Sequence, residues 1–280
     1  MEVPGGSNNK VMVCIAEIIG TAFLLIAVNI SSNTGVTPMC VGFTVFAMAT
    51  IIGPVSGGHM NPAVTMGMFI KHNHGDKTLQ NLVYMVIIIC SQLIGAMLGV
   101  SIASMAADQT VDDKIVGQVK SSRTTMLCPN SPTGKGCYSD DMTGRIFVGE
   151  MIATFLFVSF VLQVVKHNGA TDAPVNTIAI GLCLFIAITL TSAVSGGCVN
   201  PAVGFVQPVF QRIFYQGVFP KAEAVPLTYY AAYIFAPSLG GILAGIFQKT
   251  LNEFAQNKAK VVAEEAANQK GDYTRDSNVN

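Results

Sequence analysis

The sequence predicts an all-α membrane protein with six transmembrane helices and two re-entrant half-helices, arranged as two inverted repeats. Three observations support this prediction. The composition is that of a membrane protein, because 51% of the 280 residues are hydrophobic and only 11% are charged, whereas soluble domains carry about 25% charged residues. Six apolar runs have the length of a membrane span. One nine-residue stretch also occurs twice, once in each half of the chain.

The six apolar runs each approach or exceed the length of about 20 residues that a transmembrane helix needs. Charged residues are scarce inside the runs and gather between them. The predicted spans cover residues 11–30, 40–57, 80–106, 144–165, 175–194 and 226–248.

The repeated stretch follows the second apolar run and again the fifth. Its copies extend from Ser56 to Val64 and from Ser195 to Val203, are identical at seven of nine positions and are offset by 139 residues. In each copy Asn is followed by Pro, which suits the first turn of a helix because its missing N–H group is not needed there. Asn is a favourable N-cap, and its amide can still donate outward. Each copy therefore predicts a polar loop that leads into a helix.

The apolar segments after the two copies, residues 62–70 and 201–213, are too short to span a bilayer. At about 1.5 Å per residue, each reaches roughly halfway across. Irregular backbone is tolerated at membrane depth only where protein buries it or where it lines a water-filled cavity, so both segments are predicted to be re-entrant. Because each half has three full spans, the second half enters from the opposite side, and the two loops meet near the midplane.

The repeat also predicts the domain organisation. Residues 1–249 are expected to form a single membrane domain, whose repeats at 11–106 and 144–249 are joined by the polar loop 107–143. Pairs of glycines four residues apart, Gly95 with Gly99 and Gly241 with Gly245, predict close helix crossings within this domain.

The remaining segment, residues 250–280, is predicted to be a cytoplasmic tail that is helical to about Asn268 and disordered beyond it. Nine of the sixteen Lys and Arg residues lie on the side that is expected to hold both termini. This small excess follows the positive-inside rule, so both termini are predicted to be cytoplasmic.

Two of the seven cysteines, Cys128 and Cys137, lie in the polar loop, whereas the others mostly lie in apolar runs, where Cys packs as a small hydrophobic residue. In an extracytoplasmic loop these two can form a disulfide, and free thiols are the alternative.

Two carboxylates lie inside apolar spans at matching points of the repeat. Glu17 lies in the sequence Ala-Glu-Ile-Ile-Gly-Thr, and Glu150 lies in Gly-Glu-Met-Ile-Ala-Thr. Because an intramembrane carboxylate is costly, both are candidate functional residues.

Six spans, two inverted halves and two Asn-Pro-Ala boxes together resemble the major intrinsic proteins, the aquaporin and glycerol-facilitator family. The boxes are Asn61-Pro62-Ala63 and Asn200-Pro201-Ala202, and the resemblance covers residues 11–249. It implies a passive channel for water and small neutral solutes, embedded in a lipid bilayer as a homotetramer with one pore per subunit. It implies neither a cofactor nor a metal, and the formal net charge of zero gives no reason to expect nucleic acid.

Physical chemistry gives the paired boxes a mechanism. Two half-helix N-termini that meet at the midplane each present about half a positive charge, which repels a cation or hydronium but not a neutral molecule. The amides of Asn61 and Asn200 can donate to one passing oxygen, so that a water directs its own protons outward and the proton wire is broken. Loop carbonyls are expected to supply acceptors on either side, from Gly57, Gly58 and His59 in the first copy and from Gly196, Gly197 and Cys198 in the second.

The resemblance implies roles for further residues. Glu17 and Glu150 are expected to hold the re-entrant loops by accepting backbone hydrogen bonds. His59 is expected to line the cytoplasmic vestibule, with a packed neutral histidine as the alternative, and Cys198 takes its place in the second copy near the pore wall.

The resemblance also places a selectivity filter at Val41, Ile188, Gly197 and Val203. Family members usually carry Arg at the last position, where it donates to the permeant and repels cations, but this chain has Val203. Such a filter is expected to be wider and more apolar than a water-selective one and to exclude cations less strongly. The sequence therefore predicts passage of water and of small uncharged solutes such as glycerol or urea.

Other functions stay open. A strictly water-selective channel is one alternative, and an ion-leaky or ammonia-passing channel is another because the filter Arg is missing. A secondary transporter also uses inverted repeats and broken helices, but apart from Glu17 and Glu150 the spans offer almost no titratable groups. An enzyme is not expected, because the chain lacks the common metalloprotease, serine-hydrolase and phosphate-binding motifs.

Overall fold

A computed structural model describes residues 9–31, 35–72, 77–106, 110–111, 114–115, 140–165, 173–214 and 227–276. Within these residues the chain forms eight α-helices: α1 (Asn9–Ile30), α2 (Thr37–Ser56), α3 (Pro62–His72), α4 (Thr78–Ala106), α5 (Asp140–Val164), α6 (Ala173–Ser195), α7 (Pro201–Phe214) and α8 (Leu227–Asp276). A small antiparallel hairpin of β1 (Thr110–Val111) and β2 (Lys114–Ile115) lies between α4 and α5, with Thr110 opposite Ile115. Cys128 and Cys137 lie outside the described residues.

Six of these helices are long and apolar enough to cross a membrane: α1, α2, α4, α5, α6 and α8. The other two, α3 and α7, have 11 and 14 residues, which correspond to about 17 and 21 Å and fall short of a hydrocarbon core of about 30 Å. Each begins at the Pro of an Asn-Pro-Ala box. The predicted fold of six spans and two half-helices is confirmed.

The helices of the two halves pack in the same pattern. In the first half α1 packs on α4 and α2, and in the second half α5 packs on α8 and α6. The halves meet where α2 packs against α6. They also meet at the half-helices, because α3 packs mainly on α8 and α7 packs on both α4 and α8.

The polarity of the molecule is the reverse of that of a soluble protein. Large apolar side chains are exposed on the outer faces of the spans, such as Ile51 at 67% and Phe23 at 50%. Glu17, Gln92 and Glu150 are polar and fully buried. A lipid-facing surface needs no polar groups, whereas polar groups at membrane depth must find partners inside the protein.

Glycines allow the closest helix crossings. A Cβ atom on Gly95 would lie 2.3 Å from the backbone oxygen of Ile18, and one on Gly241 would lie 2.3 Å from that of Ala63. All four glycines of the two predicted pairs lie against the backbone of a neighbouring helix: Gly95 against Ile18, Gly99 against Ala22, Gly241 against Ala63 and Gly245 against Gly67. The crossings predicted from the four-residue spacing are confirmed, and the second pair brings α8 against the half-helix α3.

The helix α8 continues well beyond its apolar part and ends at Asp276. The sequence predicted a helical tail to about Asn268 with disorder beyond, so the helix is eight residues longer than expected. Ala, Glu, Lys and Gln, all good helix formers, predominate in residues 251–270 and favour this extension.

Candidate functional site

The two copies of the repeated stretch fold into matching loops. Gly57 caps α2 with a φ of 86°, and its N–H donates to Gly53 O over 2.9 Å. Gly58 follows with a φ of 62°, and Gly196 and Gly197 have φ values of 83° and 72° in the second copy. Because glycine enters this left-handed region without steric cost, the Gly-Gly pairs let the chain leave each span and turn toward the half-helix.

The residue before each Asn is also left-handed, although it is not glycine. Met60 has a φ of 50° and Val199 a φ of 51°. A β-branched residue such as Val199 rarely adopts this conformation, and strain of this kind costs about 1–3 kcal/mol. Both residues are fully buried, so the surrounding structure must hold them in place.

The two buried glutamates hold the backbone at these positions. Glu17 Oε1 accepts from the N–H of His59 over 2.9 Å, and Glu17 Oε2 accepts from that of Met60 over 2.8 Å. Glu150 repeats the arrangement, with Cys198 N at 2.9 Å and Val199 N at 2.6 Å. Each carboxylate therefore accepts from two N–H groups of the loop in its own half of the chain, and one donor of each pair belongs to the strained residue.

Sequence reasoning gave no role to the first residue of each copy. Ser56 Oγ donates to Glu17 Oε1 over 2.7 Å and accepts from Gly58 N over 3.0 Å. Ser195 Oγ likewise donates to Glu150 Oε1 and accepts from its own loop. The signal was present, because this serine is identical in both copies of the repeat.

The first loop has an additional buried network. Gln92 Nε2 donates to Glu17 Oε2 over 2.8 Å and to Thr65 Oγ1 over 3.0 Å. Thr65 Oγ1 donates to Asn61 O over 3.1 Å and lies 3.2 Å from His59 Nδ1. His59 thereby joins the network of Glu17, Gln92 and Thr65.

The second loop is supported differently. The residue that corresponds to Thr65 is Gly204, where a Cβ would lie 2.4 Å from Tyr233 O. Tyr233 packs there, and its hydroxyl donates to Ser195 O. Cys198, at the position of His59, donates through Sγ to Asn200 O over 3.1 Å. The second loop is thus supported by the side chains of Tyr233 and Cys198. The first loop has the Gln92 amide, the Thr65 hydroxyl and the His59 imidazole instead.

The two asparagines connect the halves reciprocally. Asn61 Oδ1 accepts from Ala63 N over 2.8 Å, and Asn200 Oδ1 accepts from Ala202 N over 2.9 Å, so each Asn caps its own half-helix. Asn61 Nδ2 donates to Val199 O over 2.8 Å, across to the opposite loop, and Asn200 Nδ2 donates back to the first loop. Because an amide has two protons, each Asn retains one for other partners.

Both asparagines line an open cavity with about 580 Å³ of empty space, a volume that includes open solvent. The four residues assigned to the filter share this cavity with the Asn pair and with His59, Gly196 and Cys198. The complete lining is Leu24, Val28, Thr37, Val41, Val45, His59, Met60, Asn61, Phe157, Leu184, Ile188, Gly196, Gly197, Cys198, Asn200 and Val203. Gly57 and Gly58 do not line it, nor do the Pro and Ala of either box.

The sequence did not single out Leu24 and Phe157 as cavity residues. Each lies two helical turns after a buried glutamate, at matching positions of the repeat. That equivalence was a usable signal. Among the residues that the structure describes, no group of three or more His, Cys, Asp and Glu side chains is placed to hold a metal ion.

Comparisons with known proteins agree with this geometry. The sequence profile of the family described as major intrinsic protein matches residues 7–248. The chain is 28% identical to glycerol uptake facilitator protein-like 6 of Lactiplantibacillus plantarum over 83% of this chain and 91% of that protein. It is 26% identical to aquaporin C of Dictyostelium discoideum over 83% and 77% of the two chains. The fold resembles that of the aquaglyceroporin from Plasmodium falciparum, with a TM-score of 0.58, 20% identity, and coverage of 86% of this chain and 96% of that one.

Proposed function

Since the chain belongs to the major intrinsic protein family, we propose that it is a passive channel that conducts water together with small uncharged solutes such as glycerol and urea. The chain is a multi-pass integral membrane protein. The observation that carries the proposal is the meeting of two half-helix N-termini, at Asn61 and Asn200, beside a cavity that both asparagines line.

This meeting supports exclusion of ions. Each N-terminus contributes about half a positive charge, and the two charges add where the Asn side chains reach each other's loops. A cation that enters loses hydration and faces this field, whereas a neutral molecule loses only part of its hydration. The remaining amide proton of each Asn can replace one of the hydrogen bonds that a permeant oxygen gives up.

The range of solutes that pass besides water is inferred from the filter residues. Val41, Ile188 and Val203 are buried and carry no polar atoms in their side chains, so the filter offers no side-chain donor that would select water strictly. Among the relatives, one is named as a glycerol uptake facilitator, which supports the inclusion of glycerol.

Stopped-flow light scattering on proteoliposomes tests the proposal. We expect water and glycerol permeabilities both to exceed those of protein-free vesicles, with fluxes that are linear in the gradient and independent of sodium and protons. Water flux without glycerol flux would support the strictly water-selective alternative. Saturable flux that requires an ion gradient would instead indicate a secondary transporter.

A second candidate, a channel that also leaks cations or passes ammonia, is favoured by one observation. Val203 lines the cavity where family members usually place an arginine, so the half-helix ends are the remaining fixed positive charge. Potassium efflux from loaded proteoliposomes, measured with an ion-selective electrode, distinguishes the two candidates. We expect potassium efflux no faster than from protein-free vesicles.

Assembly and orientation are inferred from family membership and from the charge distribution. We place both termini in the cytoplasm and expect a homotetramer with one pore in each subunit. Light scattering coupled to size exclusion in detergent checks the assembly, and protease access to the residues 251–276 in sealed right-side-out vesicles checks the orientation.

A further inference from the structure

The outer part of the half-helix α7 is tied to the first span of the other half. Gln207, only 2% exposed, donates through Nε2 to Asn29 Oδ1 on α1 over 3.1 Å. Asn29 is fully buried, and its Nδ2 donates to Leu25 O in its own helix over 2.7 Å. Because this second hydrogen bond orients the Asn29 amide, the amide oxygen faces α7 and accepts from Gln207.

The outer part of the half-helix α3 is tied to α5 in a similar way. Lys71 lies in the last turn of α3, is buried, and donates through Nζ to Leu162 O. This oxygen is among the last carbonyl groups of α5, which ends at Val164, and the last carbonyls of a helix have no partner within it. A cation is favourable at a helix C-terminus. Lys71 therefore caps α5 and also holds α3 against it.

These two hydrogen bonds, which we call the tethers, end at matching points of the repeat. Asn29 and Leu162 each lie twelve residues after the buried glutamate of their own half. The donors do not match, because the residue of α3 that corresponds to Gln207 is Met68, and Lys71 lies three residues further on. Side chains of a helix lean toward its N-terminus, so the longer lysine reaches back from the next turn. Unlike residues thus make an equivalent connection in the two halves.

We propose that Gln207 and Lys71 are positioning residues, which set the tilt of the half-helices and thereby the place where their electropositive N-termini meet. The inference rests on the proposed channel function and concerns its exclusion of ions. At the inner end of each half-helix, the box asparagine donates to the opposite loop. With the tether at its outer part, each half-helix is held by the other half of the chain at two levels.

The distance between the two levels makes the tilt important. At about 1.5 Å per residue, the tethers lie about 10 Å from Asn200 and about 15 Å from Asn61. Over these lengths a tilt of about 3° moves the N-terminus by roughly 0.5–0.8 Å, whereas N–H···O hydrogen bonds form over a range of only about 0.5 Å. A small tilt therefore suffices to break the contacts across the midplane and to move the two positive helix ends apart.

The tether matters most for α7, because this half-helix is interrupted. Pro208 lies inside α7 directly after Gln207, and proline removes one backbone N–H from the helix ladder. The Pro208 carbonyl oxygen accepts from the Tyr230 hydroxyl on α8 over 3.2 Å, and α7 packs mainly on α4 and α8. Gln207 adds the connection to α1 at the interruption itself. Losing it should therefore disturb α7 more than losing Lys71 disturbs α3, whose interior has no proline.

The experiment measures the collapse of a pH gradient across proteoliposomes that are matched for water permeability by stopped flow. Matching removes differences in the number of folded channels, so a loss of stability alone does not change the result. We expect proton leakage at least about threefold faster than for the wild type in Gln207→Met, the scale of a weakened interaction with a helix end, and a smaller rise in Lys71→Met. The controls Gln256→Met and Lys77→Met, at exposed positions, should match the wild type.

Rescue by a swapped pair provides the second measurement. Gln207→Asn shortens the donor and should leak, whereas Asn29→Gln combined with Gln207→Asn moves the missing methylene group to α1 and should restore wild-type leakage. Lys71→Arg keeps a charged donor and should also behave as the wild type. These milder variants test the inference even if Gln207→Met does not fold.

The outcomes separate this inference from the proposed function. Wild-type leakage in conducting Gln207→Met or Gln207→Asn channels overturns the inference and leaves the channel intact. Faster leakage in Lys71→Met alone assigns the effect to the lost charge and overturns it too, because Gln207→Met changes no charge. A swapped pair that leaks as fast as Gln207→Asn removes the role of the connection to Asn29. If wild-type proteoliposomes pass water no faster than protein-free vesicles, the proposed function fails as well.

Discussion

Asn200 Nδ2 donates a hydrogen bond to the carbonyl oxygen of Met60 over 2.9 Å, which joins the second half of the chain to the first at the point where both half-helices begin. Both backbone polar groups of Met60 are held, because its N–H donates to Glu17 and its carbonyl oxygen accepts from Asn200. A left-handed, non-glycine residue is thus fixed between two buried partners. The same arrangement recurs at Val199 with Glu150 and Asn61.

Replacing Glu150 with Leu should destabilise the protein strongly. The change leaves the N–H groups of Cys198 and Val199 without acceptors in a buried site, at a cost of about 1–3 kcal/mol each, and releases the strained Val199. We expect a clear fall in the melting temperature in detergent and loss of water flux in proteoliposomes. Glu253→Leu, on the exposed part of α8, is the control, and equal melting temperatures for the two variants would contradict the supporting role of Glu150.

Replacing Asn61 or Asn200 with Asp should weaken ion exclusion. Aspartate keeps the oxygen that caps the half-helix but loses the donor to the opposite loop, and an ionised carboxylate offsets the positive helix ends. We expect faster collapse of a pH gradient across proteoliposomes than for the wild type. The tail variant Asn257→Asp provides the comparison. Proton leakage that does not rise in either box variant, provided that water still flows, would argue against the electrostatic barrier.

Introducing the missing arginine should narrow the selectivity. In Val203→Arg a long cationic side chain enters the cavity beside Ile188 and Gly197, so we expect glycerol and urea permeabilities to fall at least about tenfold while some water flux persists. Val203→Leu, which adds bulk without charge, separates size from electrostatics. A solute profile that is the same in Val203→Arg as in the wild type would remove Val203 from the filter.

Replacing glycine with alanine should destabilise the protein at a tight helix crossing but not at an open site. Gly95→Ala places a Cβ against the backbone of Ile18, so α1 and α4 must separate, and we expect destabilisation of about 1–3 kcal/mol. At Gly144, no heavy atom outside its local backbone lies within 4 Å of an added Cβ. Gly144→Ala should therefore be neutral or stabilising by up to about 1 kcal/mol. Thermal unfolding in detergent measures both, and a Gly95→Ala variant as stable as the wild type would mean that the crossing is not tight.

The spans, the half-helices and the capping asparagines were predictable because they depend on local properties: the length of an apolar run, the Asn-Pro pair and the offset of the repeat. The network of Gln92, Thr65 and His59 was not. Its members lie on α4, on α3 and in the first loop, and sequence periodicity does not say which side chain of one helix meets which side chain of another. Tyr233 escaped prediction for the same reason, since its partner Ser195 is 38 residues away along the chain.

The residues of the site divide in the same way, into those that the sequence predicts and those that only the packing of the helices reveals. The positions of Val41, Ile188, Gly197 and Val203 were inferred from resemblance, and the structure brings all four to one cavity. The apolar residues that extend that wall, such as Val28 and Leu184, have no local signature, because a valine or leucine that lines a passage has the same sequence pattern as one that packs in the core. Only the packing of the helices separates the two groups.

The two re-entrant loops share their glutamate and asparagine contacts but differ in what stands behind them, Gln92 and Thr65 for one and Tyr233 for the other. Substitutions around one loop can therefore accumulate without forcing a compensating change around the other. Because the two loops have unlike supports, the surroundings of each can change separately while the glutamate and asparagine contacts common to both stay fixed.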